Sequence, residues 1–138
     1  MNYKERFYPE AKFGGFTDID GTVAFYNRVN SLLDPSFVVL DAGCGRGAYK
    51  EGPESLSKNL RNLKGKVAKV IGIDVDQGAR ENPFLHEFHL IQGDSWPVES
   101  NSIDLIVCDF VLEHIANPDQ FFRCPGSPGN GLPRVFLS

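Results

Sequence analysis

The sequence lacks the features that mark metal-binding, disulfide-stabilised and nucleic-acid-binding proteins. Its three cysteines, Cys44, Cys108 and Cys124, form no CxxC pair, so neither a zinc site nor a disulfide framework is expected. Lysine and arginine number 14 against 18 acidic residues, and the basic residues are scattered. A formal net charge of −4 without a basic patch argues against nucleic acid or an anionic membrane as the main partner.

Long hydrophobic runs are also missing. No segment is long enough to span a bilayer, and the polar residues Met1–Arg6 do not have the pattern of a signal peptide. We therefore expect a cytoplasmic protein without a membrane span. A length of 138 residues with 41% hydrophobic content is sufficient for one domain with a buried core.

The chain does contain a short apolar run that ends in an acid and three alternating glycines. Residues Val38–Leu40 have the apolar, β-branched character of a buried parallel strand, and Asp41 follows them. Gly43, Gly45 and Gly47 then predict a tight turn, whose backbone can approach a ligand closely because glycine has no β-carbon.

Apolar strands alternate with helical segments along the rest of the chain. This alternation predicts βαβ units, and therefore an α/β fold with a parallel sheet covered on both faces. The predicted strands are Phe37–Asp41, Ala68–Asp74, His86–Gln92, Ile103–Asp109 and a short strand within residues 134–138. The predicted helical segments are Asp20–Asp34, Ala48–Leu63 with a restart at Pro53, Asp76–Glu81 and a helix that starts at Asn117. In the first of them, Val23, Tyr26, Val29 or Asn30, and Leu33 form one apolar stripe that is expected to pack on the sheet.

Acidic residues stand at the ends of these strands. Asp41, Asp74 and Asp109 end the first, second and fourth strands, and Asp94 follows the third. Ligands of open α/β sheets bind beyond the carboxyl ends of the strands, so these side chains are expected around one cleft. A single aspartate is best explained as a cap for the following turn. Four at equivalent positions favour a ligand with hydroxyls and positive charge.

Two ligand classes fit the glycine spacing. Gly43, Gly45 and Ala48 match G-x-G-x-x-A, which is typical of dinucleotide sites where a pyrophosphate lies on a helix N-terminus. The carboxylate of Asp41 is electrostatically unfavourable beside a pyrophosphate. An adenosyl sulfonium ligand carries an ammonium and a sulfonium instead, so the pattern D-x-G-x-G-x-G favours this second class.

These motifs resemble those of the class I S-adenosyl-L-methionine (SAM)-dependent methyltransferases. Residues Val39–Gly47 resemble the first motif of that family, and Ile71–Asp76 resemble the acidic end of its second strand. Gly93–Ser95 and Ile103–Ile115 resemble the segments after its third strand and around its fourth. The resemblance covers about residues 37–122. It implies a three-layer Rossmann-like fold, an open parallel sheet with strand order about 3-2-1-4(-5).

The resemblance also implies the residues that bind the methionine part of SAM. Asp41 would lie near the ammonium, while Asp109 and Phe110 would lie by the sulfonium. The turn itself would be shaped against the methionine part by Gly43, Gly45 and Gly47.

The adenosine part of SAM is implied to bind at the second and third strands. Asp74 would accept both ribose hydroxyls through its two carboxylate oxygens. Val75 would lie against the adenine, with Asp94 and Ser95 near the adenine edge. The product of transfer would be S-adenosyl-L-homocysteine.

His114 is the candidate catalytic residue, because the segment after the fourth strand faces the acceptor in this family. It would act as a general base for a protonated acceptor. The alternative, which we favour, is that His114 caps local backbone or lines the cofactor pocket, since the sequence identifies no partner for it.

Positioning alone supplies much of the catalysis when the leaving group is a sulfonium. A small-molecule acceptor is favoured over nucleic acid.

The sequence departs from the family pattern after about residue 123. Six of the ten residues Cys124–Pro133 are proline or glycine, and the final antiparallel hairpin of the family is lacking. We therefore expect a truncated or altered chain with three parts. Residues 1–19 form an aromatic arm or lid, residues 20–123 the SAM-binding core, and residues 124–138 a tail with a short strand.

Two consequences follow from this departure. An uncovered sheet edge near the fourth strand predicts a homodimer through this edge or the tail, because unpaired edges associate. Missing acceptor-side residues leave a SAM-binding remnant or subunit with little or no activity as the alternative to a working methyltransferase. The glycine spacing keeps an NAD-dependent oxidoreductase as a second alternative.

Overall fold

The computed structural model describes residues 18–99, 101–109, 116–117 and 134–137. In chain order the elements are α1 (Asp18–Ser31), β1 (Val38–Ala42), a 3-10 helix (Ala48–Glu51), α2 (Leu56–Arg61), β2 (Lys69–Asp74), a second 3-10 helix (Gln77–Glu81), β3 (Glu87–Leu90), β4 (Leu105–Cys108) and β5 (Arg134–Leu137). The predicted arm up to residue 17, Phe110, His114, residues 118–123 of the predicted helix and the Pro/Gly-rich residues 124–133 lie outside the described residues.

One parallel sheet with the order β3-β2-β1-β4-β5 organises the described part of the chain. β1 is its central strand, and Asp41 lies opposite Gly72 of β2 on one side and Val107 of β4 on the other. The strand order reverses between β1 and β4, which is where open α/β sheets bind their ligands. The predicted α/β fold and the predicted strand order are confirmed, with strand bounds that differ by at most two residues.

Both faces of this sheet are buried, as the nearly continuous apolar strands predict. Side chains alternate between the faces along each strand, so Val39 and Leu40 of β1 enter different clusters. The face towards α1 and α2 buries Tyr26, Val29, Val39, Leu63, Val67, Val70, Leu85, Leu105 and Val107. The opposite face buries Leu40, Ala42, Ile71, Ile73, Trp96, Ile106 and Cys108.

The first helix packs its apolar stripe on the sheet. Tyr26 and Val29, two members of the predicted stripe, are buried, and Val29 is fully so. The helix ends at Ser31 rather than at the predicted Asp34. The Asp34 carboxylate instead accepts hydrogen bonds from the backbone N–H and hydroxyl of Ser36, which makes a turn before β1.

The predicted restart of a helix at Pro53 is wrong. Helix α2 begins at Leu56, and its N-cap is Ser55, whose hydroxyl accepts a hydrogen bond from the Lys58 N–H at 3.1 Å. A serine oxygen satisfies a free N–H of the first turn, which proline at the first helical position does not do. Pro53 therefore belongs to the connection between the 3-10 helix and α2.

The prediction of an uncovered sheet edge at the fourth strand is also wrong. β5 pairs with β4 in parallel, with Leu105 opposite Arg134 and Cys108 opposite Leu137. Among the described strands, β5 is therefore the outer one on that side of the sheet. No helix in the described part of the chain is long and apolar enough to cross a membrane.

Candidate functional site

Three aspartates meet at the carboxyl ends of neighbouring strands. Asp41 lies in β1, Asp74 is the last residue of β2, and Asp109 directly follows β4. Because β2, β1 and β4 are adjacent in the sheet, these carboxylates surround the turn that follows β1. The structure thus places these three aspartates near the glycines, as the sequence predicts.

The turn after β1, residues 43–47, is the glycine loop. Gly43, Gly45 and Gly47 have positive φ angles of 71°, 60° and 70°, a backbone conformation that costs other residues free energy. Apart from Gly45 itself and its two chain neighbours, no described residue has an atom within 4 Å of the place that a β-carbon on Gly45 would take. A β-carbon on Gly47 would lie 2.9 Å from the side-chain oxygen of Asn82. The loop is therefore open at Gly45 and closely packed at Gly47.

Most N–H groups at the start of the glycine loop are already hydrogen-bonded. The Gly43 and Cys44 N–H groups donate to the Ile73 carbonyl oxygen at 2.8 and 3.2 Å. The Gly45 N–H donates to Oδ2 of Asp74 at 2.9 Å. These bonds tie the loop to the end of β2 and leave few N–H groups to receive an anion.

Asp74 connects the glycine loop to the segment that follows β2. Its Oδ2 accepts from Gly45 and its Oδ1 accepts from the Asp76 N–H at 2.9 Å. A carboxylate oxygen can accept more than one hydrogen bond, so both oxygens keep capacity for a ligand hydroxyl. Val75, the next residue, has 76% of its surface exposed. An exposed apolar side chain beside an oriented carboxylate suits a ligand with a flat ring and hydroxyls.

Asn82 contacts the glycine loop from the other side. It is 6% exposed, and its Nδ2 donates to the carbonyl oxygens of Cys44 and Gly45, both at 3.1 Å. Its Oδ1 accepts from the Phe84 N–H at 2.9 Å. Every polar group of this buried amide therefore has a partner, as buried amides require.

An ion pair bridges the glycine loop and the second 3-10 helix. Arg46 donates from Nε to Oδ2 of Asp76 at 2.8 Å and from Nη2 to Oδ1 at 3.2 Å. This bidentate contact lowers the pKa of Asp76 and raises that of Arg46. Both side chains are exposed, so the pair orients the loop more than it stabilises the fold.

A polar cluster lies beneath the glycine loop on the face towards α1 and α2. The Tyr26 hydroxyl donates to Oδ2 of Asp109 at 3.1 Å, and Nη2 of Arg61 lies 3.8 Å from the same oxygen. The Arg61 guanidinium also lies 4.2 Å from the ring centroid of Tyr49, which stacks on Phe84. Arg61 thus places a cation under the acidic end of the sheet.

Asp41 faces a small cavity in this cluster. The cavity has a volume of about 10 Å³, near the smallest that holds one water molecule. It is lined by Tyr26, Asp41, Tyr49, Arg61, Leu63, Val70, Phe84 and Val107. Within the described residues, Nε of Arg61 is a buried nitrogen without a hydrogen-bond partner.

The surroundings of Asp41 favour its neutral form. Burial, and then the charge of Asp109, raise the pKa of Asp41 to about 7, although Arg61 opposes the shift. Burial is also the largest cause that raises the pKa of the Tyr26 hydroxyl, followed by the charges of Asp41 and Asp109. A positively charged ligand group beside Asp41 would relieve this repulsion and favour the ionised carboxyl.

The remaining predicted residues are more distant from the glycine loop along the sheet or lie outside the described residues. Asp94 and Ser95 are exposed and follow β3, the strand on the far side of β2. Phe110 and His114 are outside the described part of the chain.

Four residues of the site were not predicted as functional. Tyr26 was assigned only to an apolar stripe, and Tyr49, Arg61 and Asn82 belong to no motif. Arg61 and Asn82 act through contacts with residues many positions away, so no local sequence pattern identifies them. The signal that could have drawn attention to Tyr26 is a hydroxyl on a helix face that is otherwise apolar.

Solved structures of other proteins share the fold of this chain. The YcgJ protein of Bacillus subtilis is 18% identical, with a TM-score of 0.52 over 73% of this chain and 42% of its own. A protein from an antibiotic biosynthesis pathway of Anabaena variabilis is also 18% identical, with a TM-score of 0.52 over 72% of this chain and 38% of its own. A Bacillus halodurans protein assigned as a methyltransferase is 21% identical, with a TM-score of 0.50 and coverages of 72% and 42%.

These similarities show a shared fold, and the chain spans about two fifths of the length of each of these proteins. No curated protein matches the chain. The family described as "Methyltransferase domain" matches residues 20–127, which is well over half of the chain. The match begins within α1 and includes the glycine loop and all three aspartates. The chain therefore belongs to the methyltransferase-domain family.

Proposed function

We propose that this chain binds SAM at the glycine loop and transfers its methyl group to an acceptor. The observation that carries the proposal is a glycine loop, open at Gly45, that is surrounded by the carboxylates of Asp41, Asp74 and Asp109. Such a site favours a ligand with hydroxyls and positive charge over an anionic one.

The residues present fit the two halves of SAM. Asp74 is oriented by two backbone N–H groups and retains lone pairs for the ribose hydroxyls, and exposed Val75 offers an apolar surface to the adenine. Asp41 and Asp109 supply negative charge for the ammonium and the sulfonium. When bound, SAM supplies a methyl group that is already activated by its sulfonium. The chain then has to hold the donor in place and exclude competing geometries.

The residues outside these contacts complete the proposed site. We propose Asp94 and Ser95 for the adenine edge and Phe110 for the sulfonium end. His114 is the candidate base for a protonated acceptor, and the alternative that it caps backbone or lines the cofactor pocket stays the favoured one. The SAM-binding core is proposed to be residues 20–123, between the N-terminal arm and the tail.

A dinucleotide cofactor fits this loop poorly. A pyrophosphate needs free N–H groups, but those of Gly43, Cys44 and Gly45 already donate to the end of β2. The element after the loop is a 3-10 helix of four residues, Ala48–Glu51, which offers a short dipole only. These contacts support SAM over NAD as the ligand.

The test is calorimetric titration of the protein with S-adenosyl-L-homocysteine, SAM and NAD. We expect binding of the first two, and a loss of at least about tenfold in affinity for Asp74→Asn, because an amide offers one acceptor oxygen where the carboxylate offers two. Asp104→Asn is the matched control, since Asp104 also accepts a backbone N–H, from Val38 at 2.9 Å, but stands before β4. A heat of binding on titration with NAD, and none on titration with S-adenosyl-L-homocysteine, would contradict the proposal.

Transfer is then tested with SAM that carries a labelled methyl group and a panel of acceptors. We favour small molecules, because the scattered basic residues provide no surface for nucleic acid. Label in an acceptor identifies a working enzyme. Tight SAM binding without transfer to any acceptor supports the alternative of a binding remnant or subunit.

Two further proposals concern the setting of the protein. We propose the cytoplasm, because the described cysteines Cys44 and Cys108 are free thiols, as expected in a reducing compartment. We also propose a homodimer through the outer edge of β5 or the tail, because a strand at the edge of a sheet exposes backbone groups that pair readily. Sedimentation at micromolar concentration measures this, and a monomer mass there contradicts it.

A further inference from the structure

We propose that Asn82 is a positioning residue that sets the shape of the glycine loop for ligand binding. The proposal rests on the proposed function, since it concerns the loop that binds the methionine part of SAM. Asn82 itself lies between the second 3-10 helix and β3, more than 30 residues from the loop in sequence. No motif of the family resemblance includes it.

The contacts of Asn82 act on the backbone of the loop directly. Its Nδ2 donates to the Cys44 and Gly45 carbonyl oxygens, while the Gly45 N–H donates to Asp74. The peptide group before Gly45 is therefore held from two directions, and the peptide group after it is held by Asn82. This fixes the loop at the residue whose missing β-carbon leaves open space for a ligand.

Packing strengthens this restraint. A β-carbon on Gly47 would lie 2.9 Å from Oδ1 and 3.0 Å from Cγ of Asn82, so the amide also bounds the far end of the loop. The amide is held in turn, because Oδ1 accepts from the Phe84 N–H and Phe84 stacks on Tyr49, the second residue after the loop. Asn82 therefore joins the loop to the turn before β3 as one rigid unit.

Asn62 offers a matched comparison. Its Oδ1 accepts from the Lys64 N–H at 3.1 Å, which is the same contact to the residue two positions later that Asn82 makes with Phe84. In the structure, however, its hydrogen bonds are to residues around its own turn and not to the glycine loop. Asn62→Asp and Asn82→Asp thus make the same chemical change, and only the second removes donors from the loop.

The test uses the full chain with Asn82→Asp, Asn82→Ser and Asn62→Asp. The aspartate keeps the acceptor for Phe84 but replaces two donors with a carboxylate beside two carbonyl oxygens. The serine removes the two amide N–H donors and adds no charge, so this variant is used if the aspartate variant does not fold. Hydrogen exchange of the ligand-free proteins is followed by mass spectrometry in peptides that contain residues 43–47.

We expect exchange in the glycine loop to become at least about tenfold faster in both Asn82 variants, with little change in β1 and β2 and none in Asn62→Asp. Equal loop exchange in all four proteins would overturn the proposal. This measurement needs no ligand, so it decides the role of Asn82 even if SAM binding itself fails.

Binding then separates positioning from general stability. S-adenosyl-L-homocysteine carries the amino-acid end that the loop would hold, whereas 5′-methylthioadenosine lacks it. We expect the Asn82 variants to lose about tenfold in affinity for the first and clearly less for the second. Equal losses for both ligands would show that Asn82 only stabilises the fold. Failure of the wild-type protein to bind either ligand would instead contradict the proposed function.

Discussion

Replacing Asp41 with asparagine should stabilise the protein at neutral and alkaline pH while it weakens the site. The pKa of the Asp41 carboxyl is about 7 in the folded protein, raised from its ordinary value of 3.8. The folded state therefore holds a proton between about pH 4 and pH 7 that the unfolded state has released. Stability is fully present at the low end of this window and is lost as the pH rises through it.

The size of the effect follows from the shift. At 1.36 kcal/mol per pKa unit, two units between pH 5 and pH 7 correspond to about 3 kcal/mol. Asp41 as a residue is half-buried rather than fully buried, so screening by solvent reduces this to roughly 2 kcal/mol. Asparagine has nearly the same shape and does not ionise. Its gain in the free energy of unfolding over the wild type should therefore be larger at pH 8 than at pH 5 by roughly 2 kcal/mol.

Urea denaturation of both proteins at pH 5 and pH 8 measures this difference. Changes in hydrogen bonding that the asparagine introduces are present at both pH values and cancel. Asp34→Asn is the control, because hydrogen bonds from Ser36 lower the pKa of Asp34 and keep it ionised over the whole range. Its effect should be the same at both pH values. If Asp41→Asn also has the same effect at pH 5 and pH 8, the carboxyl is ionised throughout and the reasoning is refuted.

Three other predictions test the site. SAM affinity should rise between pH 5.5 and pH 7, because the bound ammonium favours ionised Asp41, and binding at the lower pH should release up to about one proton. Calorimetry in buffers of different ionisation enthalpy measures the proton release, and an affinity that does not change with pH contradicts the prediction. Gly45→Ala should lower stability by about 1 kcal/mol because of its positive φ and should remove most of the affinity for SAM, whereas Gly47→Ala should lower stability by about 2–3 kcal/mol because its β-carbon meets a buried amide. Thermal unfolding ranks the two variants by stability and titration ranks them by affinity, and the reverse order of stability would be inconsistent with the packing. Tyr26→Phe should lower the free energy of unfolding by about 1–2 kcal/mol, because Asp109 loses a hydrogen-bond donor at 3.1 Å. If urea denaturation shows no loss of stability, this hydrogen bond is not formed in solution.

The strands were the most predictable part of the fold, for a physical reason. A parallel strand that is buried on both faces needs a continuous apolar run, and such runs are visible without any knowledge of partners. Residues Val38–Leu40 and Leu105–Cys108 are of this kind. Helix ends were less predictable, because a single side-chain contact decides them. The Ser55 hydroxyl caps the start of α2, and the Asp34 carboxylate after α1 accepts a hydrogen bond from the Ser36 N–H.

The glycine loop and the aspartates around it were predictable because their pattern is local in the sequence. The glycines and the aspartates at strand ends are read from consecutive residues, and the structure brings Asp41, Asp74 and Asp109 together. Arg61 and Asn82 could not be predicted in this way. Each reaches its partners across the fold, and each looks like an ordinary surface residue in sequence. Their roles depend on which elements the sheet places beside the loop.

The residues that contact the glycine loop are also synthesised in a definite order. Gly45 and Asp74 are 29 positions apart and Cys44 and Asn82 are 38 apart, whereas the Tyr26–Asp109 bond spans 83. A ribosome that adds about 5–20 residues per second synthesises Asn82 roughly 1–5 seconds before Asp109. The growing chain therefore contains every anchor of the loop before the strand that carries the last carboxylate exists. In the proposed SAM site, the adenosine half can therefore assemble during synthesis, and the methionine half is completed only when β4 has been made.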